Sequence, residues 1–312
     1  MIVGIDIGGT KTHVCVEDDA GAVLLDRSVQ TADWQHGGDL HSERNVRGLL
    51  ALLDDVPGAA SAPLVVGAHG LDSEGQTLAF SETLAALHDG PALAVNDVEL
   101  VGPAAGYDEA IAVIAGTGSK VVGRRADGTL VSAGGYGYIL NDPGSAPALV
   151  RDAVRSLFEA VDEGEPRDAL ADALYAHFGV EEIVGLSNAL TVHPRVTVWG
   201  AAAPLVFAAA DAGSIRAARV IDAAADELAR SVELVHRRGA AGTDVVCAGG
   251  VVSHQPRLFD ALGERLRARG LTHSIHLLDV PPVRGALALA RRLTEAAPVA
   301  PLAPPTPSRR KS

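Results

Sequence analysis

Cysteine is scarce. Cys15 and Cys247 are the only two in 312 residues, each lies in an apolar run, and no CxxC spacing occurs. That argues against a disulfide framework or a cysteine-rich zinc motif and for buried thiols in a reducing compartment. Aromatic residues make up 4% of the chain and methionine occurs once, so packing must rely on Ala, Val, Leu and Gly. Positive charge is short as well. The 26 Lys and Arg against 39 Asp and Glu leave a net charge of −13, which excludes a broad surface for nucleic acid or an anionic membrane. The longest apolar window, around Val198 to Ala210, contains Gly200 and Pro204 and falls short of the ~20 residues of a spanning helix. The chain opens directly on a strand-like run, leaving no room for a signal peptide. A cytoplasmic protein is expected, long enough for two domains or one large one.

What the chain does have is a glycine-rich turn that recurs. An apolar, β-branched run enters Asp6-Ile7-Gly8-Gly9-Thr10-Lys11-Thr12 and leaves as another, which reads as a hairpin. A second copy is Ala115-Gly116-Thr117-Gly118-Ser119. A shift of 107 residues puts Ile7 on Ile114, Gly9 on Gly116, Thr10 on Thr117, Thr12 on Ser119 and Gly21 on Gly128. Such turns suit a phosphate, because glycines let backbone N–H groups approach an anion and Thr, Ser and Lys add donors. Two facing loops would clamp a polyphosphate. Each also reads as an ordinary tight hairpin, and the fixed register of the recurrence counts against that.

Around the loops, both halves follow one plan. In the first half a three-strand meander precedes a helix at about Leu40 to Asp54, a strand at Leu64–Ala68, a helix at Glu74–Leu87 and a strand at Ala92–Asn96. In the second half strands at about Ile111–Ala115, Lys120–Arg124 and Leu130–Ala133 form the second meander. A long Ala-rich helical stretch follows, ending in the amphipathic helix Ile215 to Arg238. Then come a strand at Asp244–Ala248, helices from Pro256 and Val283, and a short strand near Ile275–Leu278. The expected division is 1–108, 109–293 with the helical insert, and a Pro/Ala-rich disordered tail over 294–312. The last helix is expected to pack back on the first lobe.

Four ordered motifs carry a resemblance: Asp6–Thr12, Asn96-Asp97 before a helix, Gly116–Ser119, and Gly249-Gly250-Val251. A fifth, Gly134-Gly135-Tyr136-Gly137 followed by Asp142-Pro143-Gly144-Ser145, adds to it. Over about residues 2–293 the chain resembles the BadF/BadG/BcrA/BcrD-type ATPase family of the actin/hexokinase/Hsp70 superfamily. It looks most like the branch of N-acetylglucosamine and glucosamine kinases. The resemblance implies an α/β, two-lobed actin/hexokinase-like (ribonuclease H-like) fold with duplicated βββαβαβα domains and a helical insert in the second. It implies ATP and Mg²⁺ as cofactors and an amino sugar as substrate. A homodimer is expected, with no nucleic-acid or membrane partner.

By the same resemblance the nucleotide site comprises Asp6, Gly8, Gly9, Thr10, Lys11, Thr12, Gly116, Thr117, Gly118, Ser119, Gly249 and Gly250, with Asp6 reaching Mg²⁺ through water. Asp97 ends a strand at the carboxyl edge of the sheet, where open α/β sheets bind ligands, and is the expected general base. It also reads as a helix N-cap, and the roles are compatible. The implied sugar site comprises Asp33, His69, Gly70, Asn96, Asp97, Gly135, Tyr136 and Asp142. Asp142 equally fits a turn, Tyr136 equally fills a loop, and His69 equally serves as a local hydrogen-bonding residue. Departures from the family pattern cluster on the sugar side. The loop Thr31 to His36 lacks the usual Asn, so Asp33 or Gln35 would substitute, and Pro143 stands where an acid is common. Two rivals are weaker. An ATPase activating a partner enzyme would need cysteine ligands for a shared iron–sulfur cluster, and a sugar-sensing regulator would need a DNA-binding extension.

Overall fold

In the computed structural model of the protein, which describes residues 1–37, 39–192 and 196–295, each half builds a five-stranded mixed sheet. Strands Ile2–Ile7 (β1), Lys11–Glu17 (β2), Val23–Gln30 (β3), Leu64–Ala68 (β4) and Ala92–Asn96 (β5) are ordered β3-β2-β1-β4-β5. Strands Ile111–Ala115 (β6), Ser119–Arg124 (β7), Leu130–Gly134 (β8), Asp244–Ala248 (β9) and Ser274–Leu277 (β10) are ordered β10-β9-β6-β7-β8. The order is the same once β6 is set on β1 and β9 on β4, so the repeat seen in the loops extends to the whole sheet. The fold is the two-lobed α/β arrangement, with the antiparallel meander at one edge of each sheet and parallel strands at the other.

The apolar runs are continuous because both faces of the first sheet are covered. Val3, Ile5 and Ile7 point one way, with Val14 and Val16, onto Val46 and Leu49 of helix Glu43–Leu50 and Phe80 and Leu84 of helix Glu74–Leu87. Ile2, Cys15 and Val65 point the other way, onto Val283, Ala286, Leu287 and Ala290 of the last helix, Val283–Glu295. The first helix starts three residues later than the periodicity predicts, because Ser42 caps it by accepting the Asn45 N–H, and its C-terminal turn tightens to a 3-10 turn over Ala51–Leu53.

Each half's last helix lies on the other half's sheet. The turn and short helix over 97–104 place Val98 and Val101 against Ala112, Val122, Val246 and Ala248 of the second sheet. In return the Val283–Glu295 helix covers the first. The two cross where Gly285 carries no side chain, since a Cβ there would collide with the Leu100 carbonyl. Between β8 and β9 six described helices pack on the second sheet around Ala-rich contacts. Helix Val283–Glu295 runs past the expected start of the tail, and the remainder of that tail, 296–312, lies outside the described residues.

Candidate active site

Strand register brings the motifs to one edge. Ile7 pairs with Ala68 across the parallel β1–β4 ladder, and Ala68 with Asn96 across β4–β5. The turn Gly8–Lys11, the loop His69–Asp72 and Asp97 therefore leave the sheet side by side, at its carboxyl edge. In the second sheet Ile114 pairs with Ala248, so the Gly116–Ser119 and Gly249-Gly250 turns emerge together. Their contact is tight: a Cβ on Gly116 would stand 3.2 Å from Gly250 N, and one on Gly249 (φ +108°) 2.6 Å from the Ala115 oxygen. At Gly249 the positive φ and the clash together require glycine.

The two edges meet at the Lys120–Asp72 contact, 2.6 Å across the lobes, and the same first-lobe loop carries His69. Its ring lies beside Gly9, whose Cβ position is 3.8 Å away, and its Nδ1 is 3.9 Å from Asp97 Oδ2. Asp142, from the second lobe, has Oδ2 3.4 Å from the Cβ position of Gly118 and accepts the Gly137 N–H through Oδ1 at 2.9 Å. Burial raises the Asp142 pKa, while the N–H groups of Gly137 and Ser119, Arg151 and His69 hold it back.

Asp6 and Asp97 form a close acidic pair. Burial, with the neighbouring Asp97 charge, pushes Asp6 up to about 7. Burial likewise raises Asp97, offset by His69, the Val98 N–H and Lys120 and reinforced by Asp72. The Asp97 side chain is 20% exposed, and its Oδ1 accepts the Val98 N–H at 2.9 Å, so the helix-start and sheet-edge roles coexist. Asn96 is buried and structural: its Oδ1 accepts the Val98 N–H, and its Nδ2 donates to the Leu71 oxygen and to Asp72 Oδ1.

The arrangement fits a polyphosphate with a divalent cation. The N–H groups of Gly9, Thr10, Thr117 and Gly118 donate to no backbone carbonyl among the described residues. Ser119 Oγ is buried without a partner among the described residues, and the raised Asp6 carboxyl has both burial and the Asp97 charge against it. Lys11 and Thr10 are exposed on the same turn.

Some expected site residues fall elsewhere. Thr12 does not present its hydroxyl at the sheet edge: Oγ1 is buried, takes the Trp34 indole N–H at 2.9 Å and lies 3.0 Å from Thr31 Oγ1. Thr31 in turn donates to the Gly8 oxygen at 2.9 Å, so this trio fixes the turn from below. The loop read as Thr31 to His36 begins as a helical turn, Thr31–Trp34, that buries Thr31 and Trp34 and leaves Asp33 exposed. A cavity of about 490 Å³ beside the first turn is lined by Gly8, Gly9, Gln35, Asp39, His41 and His69, among others, and by Gly70 but not Asp33. Of the Thr31 to His36 loop, Gln35 is thus the residue that reaches that cavity. Tyr136 is 67% exposed and lines neither this cavity nor the interlobe one. Gly135 (φ +81°) supports the Lys120 stem, whose Cδ would be 3.0 Å from a Cβ there. Sequence reading passed over Lys120 and Asp72, which pair across the lobes at 2.6 Å. Both adjoin motifs, which was their only signal. A larger interlobe cavity of about 510 Å³ holds Glu99 and Arg124 but no member of the glycine turns, so the chemistry is placed by the turns.

Several known proteins resemble the chain as a whole. A curated relative, the N-acetylmuramic acid/N-acetylglucosamine kinase of Clostridium acetobutylicum, is 26% identical over 272 residues, covering 83% of this chain and 88% of its own. The N-acetyl-D-glucosamine kinase of Dictyostelium discoideum is 23% identical, covering 93% of this chain and 97% of its own. Among solved structures, a Chromobacterium violaceum protein assigned as an N-acetylglucosamine kinase superposes with a TM-score of 0.69 at 22% identity, covering 93% of this chain and 98% of that one. The sequence model of one family matches residues 3–290. The chain belongs to the BadF/BadG/BcrA/BcrD ATPase family.

Proposed function

We propose that the protein is an ATP-dependent kinase that phosphorylates a hydroxyl of an amino sugar, N-acetylglucosamine or glucosamine, to give the 6-phosphate. The observation that carries this reading is the partly buried Asp97 carboxylate at the carboxyl edge of the first sheet, in register with the Gly8–Lys11 turn and with His69 Nδ1 3.9 Å away. The curated relatives named as kinases of N-acetylated amino sugars support the substrate class, and a cavity near 490 Å³ is of the size that takes a small ligand.

In this reading Asp97 accepts the proton of the sugar hydroxyl as its oxygen bonds to the γ-phosphorus and the β–γ bridge breaks, releasing ADP. Burial raises its pKa, which makes it a stronger base than an exposed Asp. Gly9, Thr10, Lys11, Thr117, Gly118 and Ser119 donate to the phosphates, and Gly249-Gly250 lies against the adenosine. Asp6 would hold Mg²⁺ through water, an ion that supplies positive charge against the phosphate oxygens. Asp142, Gln35 and His69 orient the sugar.

The test is ADP release by the purified protein with ATP, Mg²⁺ and a panel of hexoses and hexosamines. Turnover dependent on an amino sugar is expected. ATP hydrolysis indifferent to every sugar would overturn the reading in favour of a partner-activating ATPase.

A further inference from the structure

Strand β7 leaves the Gly116–Ser119 turn and sends Lys120, Val122 and Arg124 to one face, since side chains alternate along a strand. Val122 and Arg124 meet the first lobe at the segment bearing Asp97, and Lys120 meets it at Asp72. Lys120 Nζ lies 2.6 Å from Asp72 Oδ1, the same oxygen that takes Asn96 Nδ2 at 3.3 Å. Val122 shares an apolar cluster with Val98 and Val101. Arg124 donates through Nη2 to Glu99 Oε2, and the other oxygen, Oε1, accepts the Asn96 N–H at 3.0 Å. The Glu99 side chain is only 8% exposed. One of its oxygens is therefore committed to the turn before Asp97 and the other to the opposite lobe.

We propose that Lys120–Asp72 and Arg124–Glu99 are positioning pairs through which β7, rooted in the second glycine turn, sets the orientation of Asp97. Two cations on one strand face grip Asn96-Asp97 from either side, each through a carboxylate that also bonds Asn96. Seating of the lobes and aiming of the base are then one event. The inference rests on the reading of Asp97 as the base, and none of the four residues is assigned a contact with substrate. A bland alternative exists for Glu99, that it serves only as the reciprocal partner in a capping box with Asn96. The two roles separate experimentally, because Glu99→Gln keeps an acceptor for the Asn96 N–H while losing the ion pair, and Arg124→Ala leaves the cap intact.

The experiment measures sugar-dependent kcat and KM from pH 6 to 9 for the parent, Glu99→Gln, Arg124→Ala, their double variant, Lys120→Met and Asp72→Asn. Melting temperatures verify folding. A catalytic group misplaced by about 1 Å costs roughly 10²-fold, so each single variant of the Arg124–Glu99 pair should lower kcat about 10- to 100-fold with KM for ATP within about threefold. The double variant should be no worse than the worse single. Lys120→Met and Asp72→Asn should likewise lower kcat with KM for ATP within about threefold, since each frees the oxygen that holds Asn96 Nδ2 or the strand that grips it. A second arm follows amide hydrogen exchange across residues 96–104 on adding a non-hydrolysable ATP analogue with Mg²⁺. Protection is expected in the parent and its loss in Arg124→Ala. Both single variants within twofold of the parent kcat, multiplicative losses in the double, or protection unchanged by Arg124→Ala would each overturn the proposal. A parent inactive on every sugar would sink the amino-sugar reading, and the exchange arm would still decide this one.

Discussion

Asp6→Asn is expected to stabilise the ligand-free protein while abolishing its use of nucleotide, and the size of the gain should depend on pH. Burial and the Asp97 charge hold the Asp6 carboxyl at about 7, against 3.8 for an ordinary Asp. Between those values the folded protein keeps a proton that the unfolded chain has released. This group's contribution to stability therefore falls as pH rises through the window and is flat above it. At about 1.36 kcal/mol per pH unit, the cost is roughly 1.6 kcal/mol at pH 5 and roughly 4 kcal/mol at pH 8. Asn stays neutral throughout and escapes it. With about 2.1 cal/mol/K of unfolding entropy per residue, 312 residues give roughly 0.66 kcal/mol/K, so the variant should melt about 2 °C higher at pH 5 and about 6 °C higher at pH 8. Calorimetry in the presence of a chelator reads both values. A gap that stays constant across that range, or shrinks at alkaline pH, would refute the burial argument. Added Mg²⁺ and ATP should stabilise the parent and leave Asp6→Asn unmoved.

Other substitutions test separate parts of the site. Asp97→Asn should cut kcat by about 10²- to 10⁴-fold while leaving nucleotide affinity by calorimetric titration within a few-fold of the parent. Gly249→Ala should cost more than about 2 kcal/mol, from a positive φ and a clash with the Ala115 oxygen, whereas Gly250→Ala meets nothing within 4 Å and should fold normally; urea titration compares them. Thr12→Val strips the Trp34 indole of its acceptor and should cost about 1–3 kcal/mol, with KM for ATP unchanged if the hydroxyl is structural.

The two meanders were legible because their glycine turns recur at one register, and β1, β4 and β6 because their apolar runs suit strands covered on both faces. What misled was direction. Thr12 sits in the same alternating row as Val14 and Val16, which face the core, and that alternation was the signal against a phosphate role. Asp33 was assigned by type alone. The anchor is Trp34, whose indole N–H needs Thr12 Oγ1 and whose ring is buried, so the chain winds into a helical turn and aims Asp33 outward. The Lys120–Asp72 pair depends on how two separately folded sheets are set against each other, and no local pattern encodes that angle.

The exchanged helices carry a consequence for synthesis. A ribosome that has finished residues 1–108 has built a sheet whose Ile2, Cys15, Val65 and Val95 face water, because Val283, Ala286, Leu287 and Ala290 follow only after the whole second sheet has been made. The first lobe is thus started before the second and completed after it. Its nascent form must wait with an apolar flank open, and a fragment cut at the boundary between the halves would keep that flank uncovered for good.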